Sequence, residues 1–153
     1  MELADEITIP SGRDVVFANL TDPEILQRCI PGCEELVMSG DHEYTAKVIL
    51  KIGPVKAKFS GTVTLDISAA PASLTLSGAG DGGLAGFAKG GADVTLVEQG
   101  DDTLLQYTAK AETGVKIAQL GSRLIESTAH KLSKKFFSEF ETVMRGDAPP
   151  ETG

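Results

Sequence analysis

The sequence predicts an α+β fold in which a curved antiparallel sheet of about seven strands wraps around one long C-terminal helix. Three observations point to it. Apolar and polar residues alternate with a period of two in successive segments between residues 35 and 111. Turn-forming Gly, Pro and Asp separate those segments. From Ile117 the apolar spacing changes to three and four and holds as far as Val143. A helix and a sheet with one apolar face each must both be covered, and each is the only large partner for the other.

Taken in order, Glu2 to Ile9 reads as a strand, stopped by Pro10, which lacks the N–H a ladder needs. Ser11 is placed to cap a short helix carrying Val15, Val16, Phe17 and Leu20. Asp22 followed by Pro23 opens a second short helix to about Cys29, and Pro31-Gly32 ends it. Tyr44, Ala46, Val48, Leu50 and Ile52 then share one face of a strand. After the Gly53-Pro54 turn, Val55, Ala57, Phe59, Gly61, Val63, Leu65 and Ile67 repeat the pattern most clearly. Leu74 and Leu76, then Ala92, Val94 and Leu96, then Leu105, Tyr107, Ala109 and Ala111 continue it. Turns are expected at Ala70-Pro71, across the glycine-rich stretch Gly78 to Gly91, and at Gly100-Asp101-Asp102. Ile117, Leu120, Leu124, Thr128, Leu132, Phe136, Phe140 and Val143 then lie on one face of a single long helix. One domain over residues 1–146 is expected, followed by a flexible proline-containing tail over 147–153.

Small residues on the inward parity of the strands leave room between sheet and helix. A cavity there is expected to be lined by Phe59, Gly61, Leu76, Phe87, Val94, Tyr107, Ala109 and Leu124. Gly82, Gly83, Leu84 and Gly86 are expected to form a mobile gating loop at its mouth, because glycine lowers the resistance to φ/ψ change. Enlarging Gly61 or Ala109 to Phe is expected to fill the space. The alternative is that small residues only let the helix pack closely.

The composition narrows the chemistry. A net charge of -8 argues against nucleic acid, whose phosphates need clustered Lys and Arg. The acidic N-terminus is unlike the basic start of a signal peptide, no apolar run reaches membrane-span length, and two cysteines fit a reduced, cytoplasmic setting. Gly78-Ala-Gly80-Asp-Gly-Gly83 matches the spacing of a dinucleotide-binding turn, but a strand and not a helix is expected to follow. Cys29 and Cys33 lack further ligands at zinc spacing, so no metal site is expected, and structural thiols are the simpler reading. No nucleophile elbow or acid–base constellation is visible, and no catalytic residue is assigned.

At Cys29-Ile-Pro-Gly-Cys-Glu34, Lys51 to Gly61, Gly86 to Leu96 and Lys116 to Ile125 the chain resembles the CoxG family, the G subunits of carbon monoxide dehydrogenase, within the START-like (SRPBCC), helix-grip superfamily. The resemblance implies a Bet v 1-like grip of sheet on helix with an apolar cavity. It implies an accessory role beside a molybdenum-hydroxylase-type dehydrogenase, with no catalytic residues to carry over. It also implies a quinone or lipid as ligand, no covalently bound cofactor, and peripheral contact with the inner face of the cell membrane. In longer members the domain continues through a linker into a tail that meets the membrane, and Pro149-Pro150 reads as the start of such a linker. Two rival readings stand beside this one: a superfamily cyclase or hydrolase acting on a hydrophobic substrate, and an adaptor without ligand.

Overall fold

A computed structural model describes residues 2–146. The chain runs β1 (Glu2–Ile9), α1 (Arg13–Leu20), α2 (Pro23–Cys29), β2 (Cys33–Gly40), β3 (Glu43–Ile52), β4 (Val55–Asp66), β5 (Ser73–Asp81), β6 (Phe87–Gln99), β7 (Asp102–Thr113), α3 (Val115–Ala118) and α4 (Ser122–Met144). All seven strands join one sheet in the order β1-β7-β6-β5-β4-β3-β2, every neighbour antiparallel. The meander from β2 to β7 follows from its short turns. The first strand then adds beside the last, so α1 and α2 connect the two opposite edges of the sheet. The segment proposed as a tail lies outside the described residues.

The short helices begin where the local chemistry directs. The Asp22 carboxylate accepts a hydrogen bond from the Glu24 N–H at 2.9 Å, and Pro23 stands at the first turn of α2. For α1 the cap position is Gly12, without a side-chain cap, one residue later than the serine the sequence favours. The buried Thr103 hydroxyl donates to the Ser11 carbonyl at 2.7 Å, holding the β1–α1 corner on β7.

Two expectations are corrected. The C-terminal helix is broken, with α3 and α4 separated at Gly121, whose φ of 100° is left-handed and favours glycine. Ile117 and Leu120 therefore belong to a separate turn ahead of the long helix, which spans about 34 Å over its 23 residues. The second correction concerns Gly78–Gly91. Gly78, Gly80, Gly90 and Gly91 are laddered strand residues, Gly78 facing Gly90 and Gly80 facing Ala88, and only residues 82–86 form the loop. Neighbouring strands on both sides satisfy the backbone of β5 and β6, which offsets the weak strand propensity of glycine.

Two apolar clusters hold α4 to the sheet. The larger gathers Ile9, Val16, Leu20, Leu26, Cys29, Leu74, Val94, Leu96, Leu105, Tyr107, Phe137 and Phe140 under the C-terminal half of the helix. The smaller, around Ile52, Ala57, Phe59 and Ile117, packs Leu120, Leu124 and Ile125 at the other end. Arg28 on α2 and Glu139 on α4 form an ion pair at 2.5 Å beside the larger cluster. None of the helices among the described residues is long and apolar enough to cross a membrane.

Candidate functional site

Between the two clusters the sheet is nearly bare on its inner face, and the strand register shows why. One row across the strands reads Ala46, Gly61, Gly80, Ala88. The next reads Val63, Gly78, Gly90, Ala111, with the buried Tyr44 at its β3 end. Below them come Leu65, Leu76, Ala92, Ala109, and then Leu74, Val94, Tyr107. Side-chain volume thus rises from row to row toward α1 and α2. The facing stretch of α4 is also small, with Ala129 and Ser133 flanking Leu132. Neither surface carries enough atoms to meet the other, and a cavity of about 390 Å³ results.

The cavity runs from Leu3 on β1 to Ile30 and Pro31 at the α2–β2 junction, and it is open to solvent. Its walls are almost wholly apolar. Val48, Leu50, Phe59, Leu76, Leu132 and Phe136 supply most of the side-chain surface. Among the described residues that line it there is no carboxylate, imidazole or thiol. Lys89 and Lys110 contribute wall through their strand backbone while their side chains are on the outer parity and exposed. A second depression of about 420 Å³ lies on the outer face over the same glycines, edged by Thr62, Thr64, Thr75, Asp93 and Thr108. That one is a trough in the solvent face with polar and charged side chains at its edge; the apolar and helix-covered inner space is the candidate site.

The residues expected at the site fall into two groups. Phe59, Gly61, Leu76 and Ala109 line the cavity. Val94, Tyr107, Phe87 and Leu124 do not. Val94 is 1% exposed and sits in the row already filled by its neighbours. Tyr107 lies one row below the cavity, its ring stacked on Phe137, which does reach the wall. Burial raises its phenol pKa, helped by the charge of Asp5. Leu124 is turned onto the β3–β4 turn, so close that a Cβ on Gly53 would lie 2.5 Å from its methyl. Phe87 is 47% exposed and covers Gly114.

The proposed gating glycines form a tight turn at the end of the sheet and not a flap across the cavity. The Gly82 N–H donates to the Gly86 carbonyl at 2.7 Å, and the Asp81 carboxylate accepts from the Gly83 N–H at 2.7 Å. Gly83 and Gly86 have positive φ, and Leu84 is pushed out to 87% exposure. Gly82, Gly83, Leu84 and Gly86 are absent from the cavity wall, although Gly82 abuts the Phe59 ring that belongs to it.

Sequence reasoning missed Leu3, Ile30, Pro31, Ala88, Ala129 and Phe136 as wall residues. The parity of Ala88 was legible once β6 is seen to begin at Phe87. Ile30 and Pro31 carried no periodic signal, because a loop residue meets the cavity only through tertiary placement. Cys29 is 2% exposed, and burial, then the charge of Glu139, push its thiol up to about 12 against the opposing pull of Arg28. Among the described residues no group of His, Cys, Asp and Glu is placed to hold a metal ion.

Comparison with known proteins agrees with this geometry. The family model for the G subunit of carbon monoxide dehydrogenase (CoxG) matches residues 6–145. A conserved protein from Geobacillus kaustophilus is similar in structure, with a TM-score of 0.87 at 28% identity, over 95% of this chain and 96% of that one. A START superfamily protein from Mycobacterium smegmatis gives 0.73 at 13% identity, over 96% and 99% of the two chains. The aromatase/cyclase Zhui from Streptomyces sp. R1128 gives 0.69 at 13% identity, over 100% and 98%. The last two likenesses show the START-like fold alone. No curated protein matches the chain in sequence.

Proposed function

Since the chain belongs to the CoxG family of carbon monoxide dehydrogenase, we propose that it is a non-catalytic accessory protein that carries an apolar ligand, a quinone or a lipid, for a molybdenum-hydroxylase-type dehydrogenase. In this reading it works in the cytoplasm and helps bring the enzyme to the inner face of the membrane. The observation that carries it is the apolar, helix-covered cavity over the glycine rows. Its volume is near the lower end of the roughly 300–1,000 Å³ of small-molecule sites. It accommodates a ring system or a short stretch of chain, and a long prenyl tail must leave through the open side.

Affinity follows from the surface buried. Covering about 300 Å² of apolar ligand at ~25 cal/mol per Å² contributes about 7–8 kcal/mol before losses. Lost ligand freedom reduces that, so dissociation constants near or above about 1 μM are expected, suited to loading and release. The lack of an inward-facing acid or base on the wall favours carriage over turnover by the cyclase or hydrolase reading. Organic extraction and native mass spectrometry of protein purified from its own host test the proposal. A stoichiometric quinone or lipid is the expected finding; a cavity empty in every preparation favours the adaptor.

A further inference from the structure

We infer that the end of the molecule formed by the β3–β4 turn, the 82–86 loop, α3 and the first turn of α4 docks on an anionic lipid bilayer. The inference deepens the proposed accessory role at a membrane by naming the face that makes the contact. These four segments converge on one cluster, since Ala85, Leu120, Leu124 and Ile125 all pack around Ile52 and Ile117. They carry the two most exposed large apolar side chains among the described residues, Leu84 at 87% and Val115 at 74%, and Phe87, 47% exposed, follows the loop as the first residue of β6. Phe87 and Val115 are neighbours, because the Gly114 N–H donates to the Phe87 carbonyl at 3.0 Å.

The charge around these tips runs against the rest of the protein. Residues 51–56, 81–89 and 112–123 contain Lys51, Lys56, Lys89, Lys116 and Arg123, all exposed, against the carboxylates Asp81 and Glu112. Five cations less two anions leave +3, in a chain whose total is -8. Lys51 and Lys56 face each other across the hairpin turn. The first turn of α4 adds further positive potential, having neither a side-chain cap nor an acidic residue. The remaining exposed apolar residues are dispersed elsewhere: Val37 and Met38, for example, follow Glu34 and Glu35 on the edge strand β2.

A lipid surface fits this arrangement better than a protein groove does. Leu84 and Val115 project from separate short turns. A protein partner needs a buried core with matching shape, whereas the headgroup–acyl boundary takes isolated apolar tips and rewards a basic surround. The small cluster behind this end shares Phe59, Leu50 and Ala88 with the cavity wall. Docking here would set the cavity one side-chain layer from the bilayer.

Flotation of the full chain with vesicles tests this, using phosphatidylcholine alone and phosphatidylcholine mixed with phosphatidylglycerol. The wild type is expected to float with the mixed vesicles and to be released by salt. Lys51→Gln with Lys116→Gln should weaken binding by at least about tenfold, from about fivefold per cation at such a surface. Leu84→Ser with Val115→Ser should weaken it as well, before any salt is added. All four residues are exposed and absent from the cavity wall. The variants therefore keep the wild-type melting curve and the uptake of a short-chain quinone from solution, which separates a failure at this face from a failure of the ligand. Variants that float as well as wild type overturn the assignment of this face. A wild type that floats with neither vesicle overturns bilayer docking and leaves a protein as the occupant.

Discussion

Tyr107 on β7 and Phe137 on α4 stack with ring centroids 4.1 Å apart and planes 19° from parallel. Both rings are buried, and Phe136 meets Phe137 edge-on at 4.8 Å. The pair joins sheet to helix at the cavity floor. Phe137→Ala is expected to destabilise the domain by about 3–5 kcal/mol. A double-mutant cycle with Tyr107→Leu and Phe137→Leu should return about 0.5–1.5 kcal/mol of coupling. Urea unfolding of the four proteins measures it, and zero coupling would mean that the rings contribute burial only.

Filling the cavity should be selective by position. Gly61 has no room: a Cβ there would lie 1.9 Å from the Ala79 carbonyl oxygen. Gly61→Phe, attractive from the sequence as a way to block the space, is expected to unfold the protein, and even Gly61→Ala to cost about 1–3 kcal/mol. At Gly78 the nearest atom to a Cβ is 3.7 Å away. Gly78→Leu and Ala109→Phe are therefore the variants expected to stay folded and to lose ligand uptake, as read by circular dichroism and by binding.

The two ends of α4 should tolerate charge differently. Leu124 is half-buried, and a carboxylate in its place can turn toward water. Leu124→Asp is expected to fold with a lowered melting temperature. Phe140 is 0% exposed, so Phe140→Asp combines a lost aromatic with a buried charge and is expected not to fold. Equal melting temperatures for the two variants would contradict the packing described.

Stability should fall in mildly alkaline solution because of Cys29. The thiol titrates near 9 when unfolded and near 12 in the folded chain. Between those values the unfolded state has lost a proton that the folded state keeps, so stability decreases as pH rises, by up to about 1.4 kcal/mol per pH unit. Tyr107, raised in the same direction, adds to the loss above its ordinary range. Denaturation at pH 8 and pH 10 should show a smaller difference in Cys29→Ala than in wild type. Identical pH dependence in the two proteins would rule out the thiol as the source.

Amide exchange should separate loop from ladder within the glycine-rich stretch. Residues 82–86 are expected to exchange faster than Val63 and Leu65, while Gly78 and Gly90, paired on both sides, are protected. Uniformly fast exchange from Gly78 to Gly91 would restore the long mobile segment that the sequence alone predicts.

Much of this is legible in the sequence. Alternation at Tyr44–Ile52 and Val55–Ile67 located β3 and β4, and the inward glycines and alanines announced the cavity. What escaped depended on level along the strands. Val94 and Gly90 share a parity, but only the register shows that Val94 lies in a filled row and Gly90 in a bare one. Leu124 has the correct helical spacing, yet it falls beyond the cavity because α4 begins only at Ser122. Periodicity gives the face of a residue; its height above the sheet floor comes from pairing.

The central claim is that the cavity holds an apolar ligand, and an equilibrium titration tests it most directly. Ubiquinone and menaquinone analogues of short tail would be titrated into the protein while tyrosine emission is recorded, the chain having no tryptophan. The two tyrosines, Tyr44 beside Val63 of the wall and Tyr107 one row below it, are the reporters. The account predicts saturable binding near the micromolar range in wild type and none in folded Ala109→Phe. Folded wild-type protein that shows no saturable change with any quinone or prenyl lipid would contradict it.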